Sequence, residues 1–204
     1  MSPARARTSQ TDIVAAGREL LEAGGLDAVT MQAIADRVGI RAPSLYKRFS
    51  DRGDVIAAIG ASVLADLGQE LAPFVDLEPA AGVRAVAEAF RRFALGHPRS
   101  YELIFMSLPP GSRPPAEFNA AAAAPLVELA GRLTGPDQAL EAARLITAFA
   151  HGFVSMELSG AFRLGGDVDA AYRYGVDVLV EALAKEGASP TARSRLDRGR
   201  PAPR

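Results

Sequence analysis

The chain has 204 residues, 49% of them hydrophobic and 23% charged, with a formal net charge of -1 and an isoelectric point near 6.2. That balance belongs to a globular chain long enough for one large domain or two small ones; it excludes a surface coated in nucleic acid but leaves room for a local basic site. The absence of cysteine excludes a disulfide scaffold, thiolate metal centres and cysteine nucleophiles, and fits a reducing cytoplasm.

In chain order, residues 1–9 carry arginines but no apolar run, so a flexible arm is expected there rather than a secretory signal. Ile13, Ala16, Gly17, Leu20 and Leu21 form one stripe of a first helix, with Thr11 or Asp12 as its N-cap and Gly24-Gly25 as its stop. Thr30 is placed to cap a second helix containing Ile34 and Ala35. Gly39 then supplies the positive φ of a sharp reversal, and a third helix is expected from Ala42 to Phe49, with Pro43 tolerated in its first turn. This is a helix-turn-helix. With Leu45 and Phe49 directed inward, the helical period turns Pro43, Ser44, Tyr46 and Lys47 outward, and Arg41 projects at the helix start. Small residues, hydrogen-bonding groups and positive charge on one face suit a helix that enters a major groove.

From Asp54 the apolar pattern Val55, Ile56, Ile59, Val63, Leu64, Leu67, Leu71 predicts a longer connecting helix that ends before Pro73. Alanine-rich segments with helical spacing follow over residues 79–95, 98–106, 115–133, 136–164 and 168–185, and no run alternates as a strand would. Residues 108–114 form the clearest interior break, and the Pro- and Arg-rich residues 189–204 have the composition of a disordered tail. The most apolar stretch, Leu145 to Leu158, contains His151 and Glu157 and falls short of the ~20 residues a membrane span needs, so no membrane association is expected. The expected fold is all-α: an arm over residues 1–9, a three-helix head over 10–53, a larger helical body over 54–187 and a tail over 188–204.

Thr30, Ile34-Ala35, Gly39-Ile40, Ser44-Leu45-Tyr46, Phe49 and Arg52 together resemble the DNA-binding head of the TetR family of bacterial transcriptional regulators. The body resembles that family's all-helical ligand-binding and dimerisation domain. His97-Pro98 with Tyr101, and His151-Gly152 with Glu157-Leu158 and Gly160, look like the subgroup named for a Trp-His-Gly signature, with Ala150 in place of the tryptophan. Arg52 stands where the family usually has lysine and Gly53 where it often has glutamate, a change that weakens a helix start.

The resemblance implies that Arg41, Ala42, Ser44 and Lys47 face base edges of a double-stranded operator while Thr30, Tyr46 and Arg52 hold phosphates. The chemistry fits: arginine pairs bidentately with guanine, lysine donates to guanine or phosphate, alanine touches a thymine methyl, and a helix N-terminus binds phosphate. One short helix makes too few contacts for a specific site, so a homodimer is expected. Its surface would use the last two long helices, with Ala148, Gly152, Ser155, Ser159 and Gly160 allowing close approach and Phe149, Phe153, Met156, Val176, Leu179, Val180 and Leu183 supplying apolar area.

For a small, largely apolar effector the candidates are Phe93, Tyr101, Phe105, Phe118, Phe149, Phe153 and Met156, with His151 as a polar anchor; the same stripe is equally what a plain core contains. No metal, cofactor or enzymatic activity is expected, because the two histidines lack metal-ligand spacing and no phosphate-binding loop precedes a helix. The expected function is a cytoplasmic, ligand-responsive repressor. The alternative is a helical dimeric binding or scaffold protein whose head no longer reads DNA.

Overall fold

The computed structural model describes residues 8–188, which are helical with no strand among them. α1 (Gln10–Gly24) is followed by α2 (Met31–Val38), the four-residue α3 (Ala42–Leu45) and α4 (Arg52–Leu71). Then come α5 (Pro79–Gly96), α6 (Pro98–Phe105), α7 (Ala116–Thr134), α8 (Ala139–Leu158) and α9 (Val168–Ala188). Of the expected arm (1–9) and tail (188–204), residues 1–7 and 189–204 lie outside the described span, whereas Ser9 caps α1 and Ala188 is the last residue of α9.

Two compact units emerge. One takes in the chain as far as Leu67 together with Gly96–Ala122; the other takes in Gly68–Leu95 and the chain from Ala123. The first unit therefore gathers α6 and the start of α7 around the head.

In the first unit α1 starts two or three residues earlier than Thr11 or Asp12 would have it. Ser9 is the N-cap: its hydroxyl accepts from the Asp12 N–H at 3.0 Å, and its own N–H donates to the Asp12 carboxylate at 2.7 Å. This reciprocal pair satisfies two otherwise orphaned donors, and it makes Asp12 the third helical residue rather than the cap. Ile13, Ala16 and Leu21 of α1 are buried along with Ile34, Ala35, Leu45, Phe49, Val55, Ile56 and Ile59. Each fully buried Ile, Leu, Val or Phe among them contributes about 1.5–3 kcal/mol. Gly17 lets α1 approach α4 closely, since a Cβ there would lie 2.6 Å from Ile59 Cδ1 and force that side chain to shift.

The α6–α7 connection, residues 106–115, includes a single 3₁₀ turn at Pro110–Ser112. It approaches α4 closely enough that a Cβ on Gly53 would stand 3.0 Å from Ser112 Oγ and 3.2 Å from the Gly111 carbonyl oxygen. The glycine that weakens the start of α4 thus makes room for this turn.

α4 with its 3₁₀ extension to Phe74 is, among the described residues, one helix long and apolar enough by length and composition to cross a membrane. Half of its most apolar window is buried inside the protein, and Val55, Ile59, Val63 and Leu67 are core residues, which accounts for that composition.

In the second unit α8 and α9 pack tightly. A Cβ on Gly175 would sit 2.2 Å from the Phe149 ring of α8, and one on Gly187, where α9 meets α7, would sit 2.4 Å from the Leu133 carbonyl oxygen. Arg91 of α5, almost fully buried, donates from Nε and one Nη to Glu157 at 2.8 and 2.6 Å and from the same Nη to Asp169 at 2.6 Å. It also lies over the Tyr172 ring, whose hydroxyl donates to the Ala87 carbonyl. A buried cation so fully paired ties the end of α8 to the start of α9. α8 stops at Leu158 rather than running to Leu164: Gly160 takes φ +67 and the Ala161 N–H bonds back to Met156, which closes the helix.

Candidate nucleic-acid interface

The turn between α2 and α3 is built by local rules. Thr30 caps α2, its Oγ1 accepting from the Ala33 N–H at 3.1 Å. At the other end Gly39 adopts φ 70 and ψ 33, the left-handed conformation that costs glycine nothing, and the Ile40 N–H bonds back to the Ala35 carbonyl at 3.0 Å. Leu45 and Phe49 are buried behind this turn, so their neighbours on α3 face out.

Arg41, Pro43, Ser44, Tyr46 and Lys47 are exposed and Ala42 is half-buried. α3 is shorter than the eight residues expected. The N–H groups of Arg48 and Phe49 both converge on the Leu45 carbonyl, at 2.8 and 3.0 Å, so the backbone tightens into a turn after Leu45 instead of continuing as an α-helix. Tyr46 and Lys47 therefore project from that turn, with Tyr46 55% exposed. Among the described residues Arg41, Lys47 and Arg48 have no ion pair, whereas Arg37 of α2 is tied to Glu19 at 2.8 Å. Arg48 belongs to the basic cluster of Arg37, Arg41, Lys47, Arg48 and Arg52 visible in the sequence, although it is not among the expected DNA contacts.

Arg52 has a different environment. Its Nε donates to the Val29 carbonyl and its Nη2 to the Leu26 carbonyl, both at 2.6 Å, and the side chain is half-buried. The guanidinium thus holds the α1–α2 connection against the start of α4. Thr30, exposed beside it, keeps its hydroxyl proton for an outside acceptor.

The effector candidates are spread over both units. In the second unit Phe149 and Phe153 lie with Tyr172 in an aromatic cluster, ring centroids 5.8 and 5.1 Å from it, and Phe153 also meets Phe162. Phe93 is buried there, His151 is half-buried and Met156 is 49% exposed. Burial holds the His151 imidazole below the usual histidine range. In the first unit Tyr101 is buried against Phe105, which is itself 41% exposed, and burial pushes the Tyr101 phenol up. Phe118 lines an open cavity of about 630 Å³.

On α8 and α9 the exposed residues follow one face each. Leu145, Ala148, Gly152, Ser155 and Met156 form a solvent-facing strip on α8, and Ala171, Tyr174 and Val178 form one on α9. The small residues named from sequence are on this surface. Val176, Val180 and Leu183 are not, because they are spent on the protein's own core.

Comparison with known proteins returns one family along most of the chain. Residues 13–59 match the model for bacterial regulatory proteins of the tetR family, and residues 83–179 match the C-terminal domain of tetracyclin repressor-like proteins. An uncharacterized HTH-type transcriptional regulator of Mycobacterium tuberculosis is 32% identical over 166 residues, 76% of this chain and 72% of its own. A class A tetracycline repressor from Escherichia coli is 26% identical over 85% of this chain and 89% of its own. In fold, a Rhodococcus protein of unknown function aligns with a TM-score of 0.75 at 22% identity, and a TetR variant of Acinetobacter baumannii in complex with minocycline with 0.68 at 22%; each alignment covers 90% of this chain and all of the other.

Proposed function

The chain belongs to the tetR family of bacterial regulatory proteins and is a ligand-responsive DNA-binding regulator, and from that premise we propose that it is a cytoplasmic homodimeric repressor released from a palindromic operator by a small effector. In this reading the head, to residue 53, docks on DNA, and the body, residues 54–187, carries dimerisation and ligand response. Arg41, Ala42 and Ser44 meet base edges. Thr30, Tyr46 and Lys47 meet phosphates or, for Lys47, a guanine, and Arg52 acts as the internal brace that orients them.

The observation that carries the reading is the exposed set Arg41, Ser44, Tyr46 and Lys47, held by a left-handed glycine turn and left unpaired by the rest of the described chain. Two half-sites are needed because one four-residue helix and its turn make few contacts. The exposed strip on α8 and α9 supplies the second protomer's seat, with Gly152 and Ser155 permitting close helix approach. Repression and release are supported by the relative named as a tetracycline repressor and by the neighbour in complex with minocycline. An effector that favours one head spacing over another shifts operator affinity by about 1–3 kcal/mol, enough to change occupancy severalfold or more.

The test is selection of DNA from a random duplex library at near-physiological salt. Enrichment of an inverted repeat is expected; a folded protein that enriches nothing overturns the reading.

A further inference from the structure

The first unit contains an open cavity of about 630 Å³ between the N-terminal half of α1, the first half of α4 and the start of α7. Its floor is apolar, formed by Val14, Phe49, Ala57, Ala58 and Phe118. Short side chains on α4 leave this space: with alanine at positions 57, 58 and 61, that face of the helix fills little volume. The volume falls within the range of sites for small organic molecules, roughly 300–1,000 Å³.

The rim is not neutral. Arg48 stands at one end of the cavity, exposed, with no close ion pair or side-chain hydrogen bond among the described residues, its charge felt by the Asp12 carboxylate of α1. Asp54, the acid in the lining, has its carboxylate turned to the Ser50 N–H at 2.8 Å and sits within the N-terminal turn of α4. An apolar floor with a guanidinium at its edge that makes no hydrogen bond or close ion pair is complementary to a molecule with an apolar body and one anionic end.

We propose that this cavity binds a small organic acid of the aromatic or medium-chain carboxylate class, its hydrocarbon part lying on Val14, Ala57, Ala58 and Phe118 and its carboxylate on Arg48. The site is separate from the aromatic cluster around Tyr172, which belongs to the other unit. It adjoins the turn that carries Tyr46 and Lys47, and its binding of the acid does not rest on the head being an operator reader.

The experiment is a titration of the full chain, labelled with ¹³C at alanine methyls, with 2-naphthoate and in parallel with the uncharged 2-naphthalenemethanol. Saturable shifts are expected at Ala57, Ala58 and Ala61, with the alcohol about tenfold weaker, a difference of about 1.4 kcal/mol. Arg48→Ala should abolish the preference for the acid, and Ala58→Phe should block both molecules; the unmoved methyls of other alanines report that each variant is folded. Unmoved Ala57 and Ala58 signals at millimolar probe, equal affinity for acid and alcohol, or an Arg48→Ala variant that keeps the preference would each overturn the proposal. Operator binding is measured separately on the protein without probe, so failure of the DNA reading and failure of the acid site give different results.

Discussion

The recognition turn and the α8–α9 face are both exposed, but they expose opposite things. Around α3 the surface is basic and hydroxylic: Arg41, Ser44, Tyr46 and Lys47 stand in solvent over a buried Leu45 and Phe49. Along α8 and α9 it is mainly apolar and small, with Leu145 at 47%, Met156 at 49% and Val178 at 47% exposure beside Gly152 and Ser155, and with Glu141 and Glu181 exposed there as well. An exposed arginine costs nothing in water, so its position becomes informative only when a rigid turn presents several such groups together. Exposed apolar side chains are different, because leaving them wet forfeits about 25 cal/mol for every square ångström that a partner could cover. The first surface points to a charged, hydrated partner and the second to a hydrophobic one.

The comparison breaks most severely if the apolar face is blocked. Gly152 is exposed on α8, and a side chain there meets nothing in its own chain. Gly152→Trp should therefore leave the protomer folded while dissociating the dimer. Operator affinity should fall by about a hundredfold or more, because the two half-sites are no longer linked; sedimentation velocity beside a binding titration checks this, and a dimer that survives with full affinity places the interface elsewhere.

A substitution in the head separates bracing from binding. Arg52→Lys keeps the charge but cannot reproduce both hydrogen bonds to Leu26 and Val29, so denaturant unfolding should show a loss of about 1 kcal/mol. The salt dependence of DNA binding should keep its slope. A shallower slope instead would return Arg52 to the phosphate contacts.

Lys47→Ala should do the converse, leaving unfolding unchanged. If the lysine holds a phosphate, the logarithmic slope of binding against salt drops by about 0.9. If it donates to a guanine, the slope is kept and one base position in the selected operator loses its preference.

The smallest effect concerns pH. His151 is held below the usual histidine range by burial, so below about pH 6.5 the unfolded chain takes up a proton that the folded one refuses. Stability should fall as the pH is lowered through that range, and levels off only below the folded-state value. His151→Gln should flatten the profile there. An unchanged profile would assign the pH dependence to another group.

Much of the head was legible because its determinants are local. Thr30 as cap, Gly39 as left-handed turn, and Leu45 and Phe49 as buried anchors all follow from backbone rules over a few residues. The spans of α5, α6 and α7 were legible within a residue or so for the same reason, proline and glycine punctuating a helical period. The misplaced cap at Ser9 and the overlong α3 and α8 are errors at element ends, where side-chain hydrogen bonds and glycine torsions decide among nearly equal alternatives.

Composition and periodicity by themselves determined that the chain is helical, that a helix-turn-helix leads a larger helical body, and which side of α3 is polar. Only the tertiary structure decided what each group was spent on. It turned Arg52 inward onto two carbonyls, gave Gly53 to the approach of the 110–112 turn, and buried Val176, Val180 and Leu183 while leaving Tyr174 and Val178 in solvent. It also opened a cavity beside Arg48 that no periodicity announces. Helical period says only that residues share a face; which face is covered, and by what, depends on contacts between segments far apart in the chain.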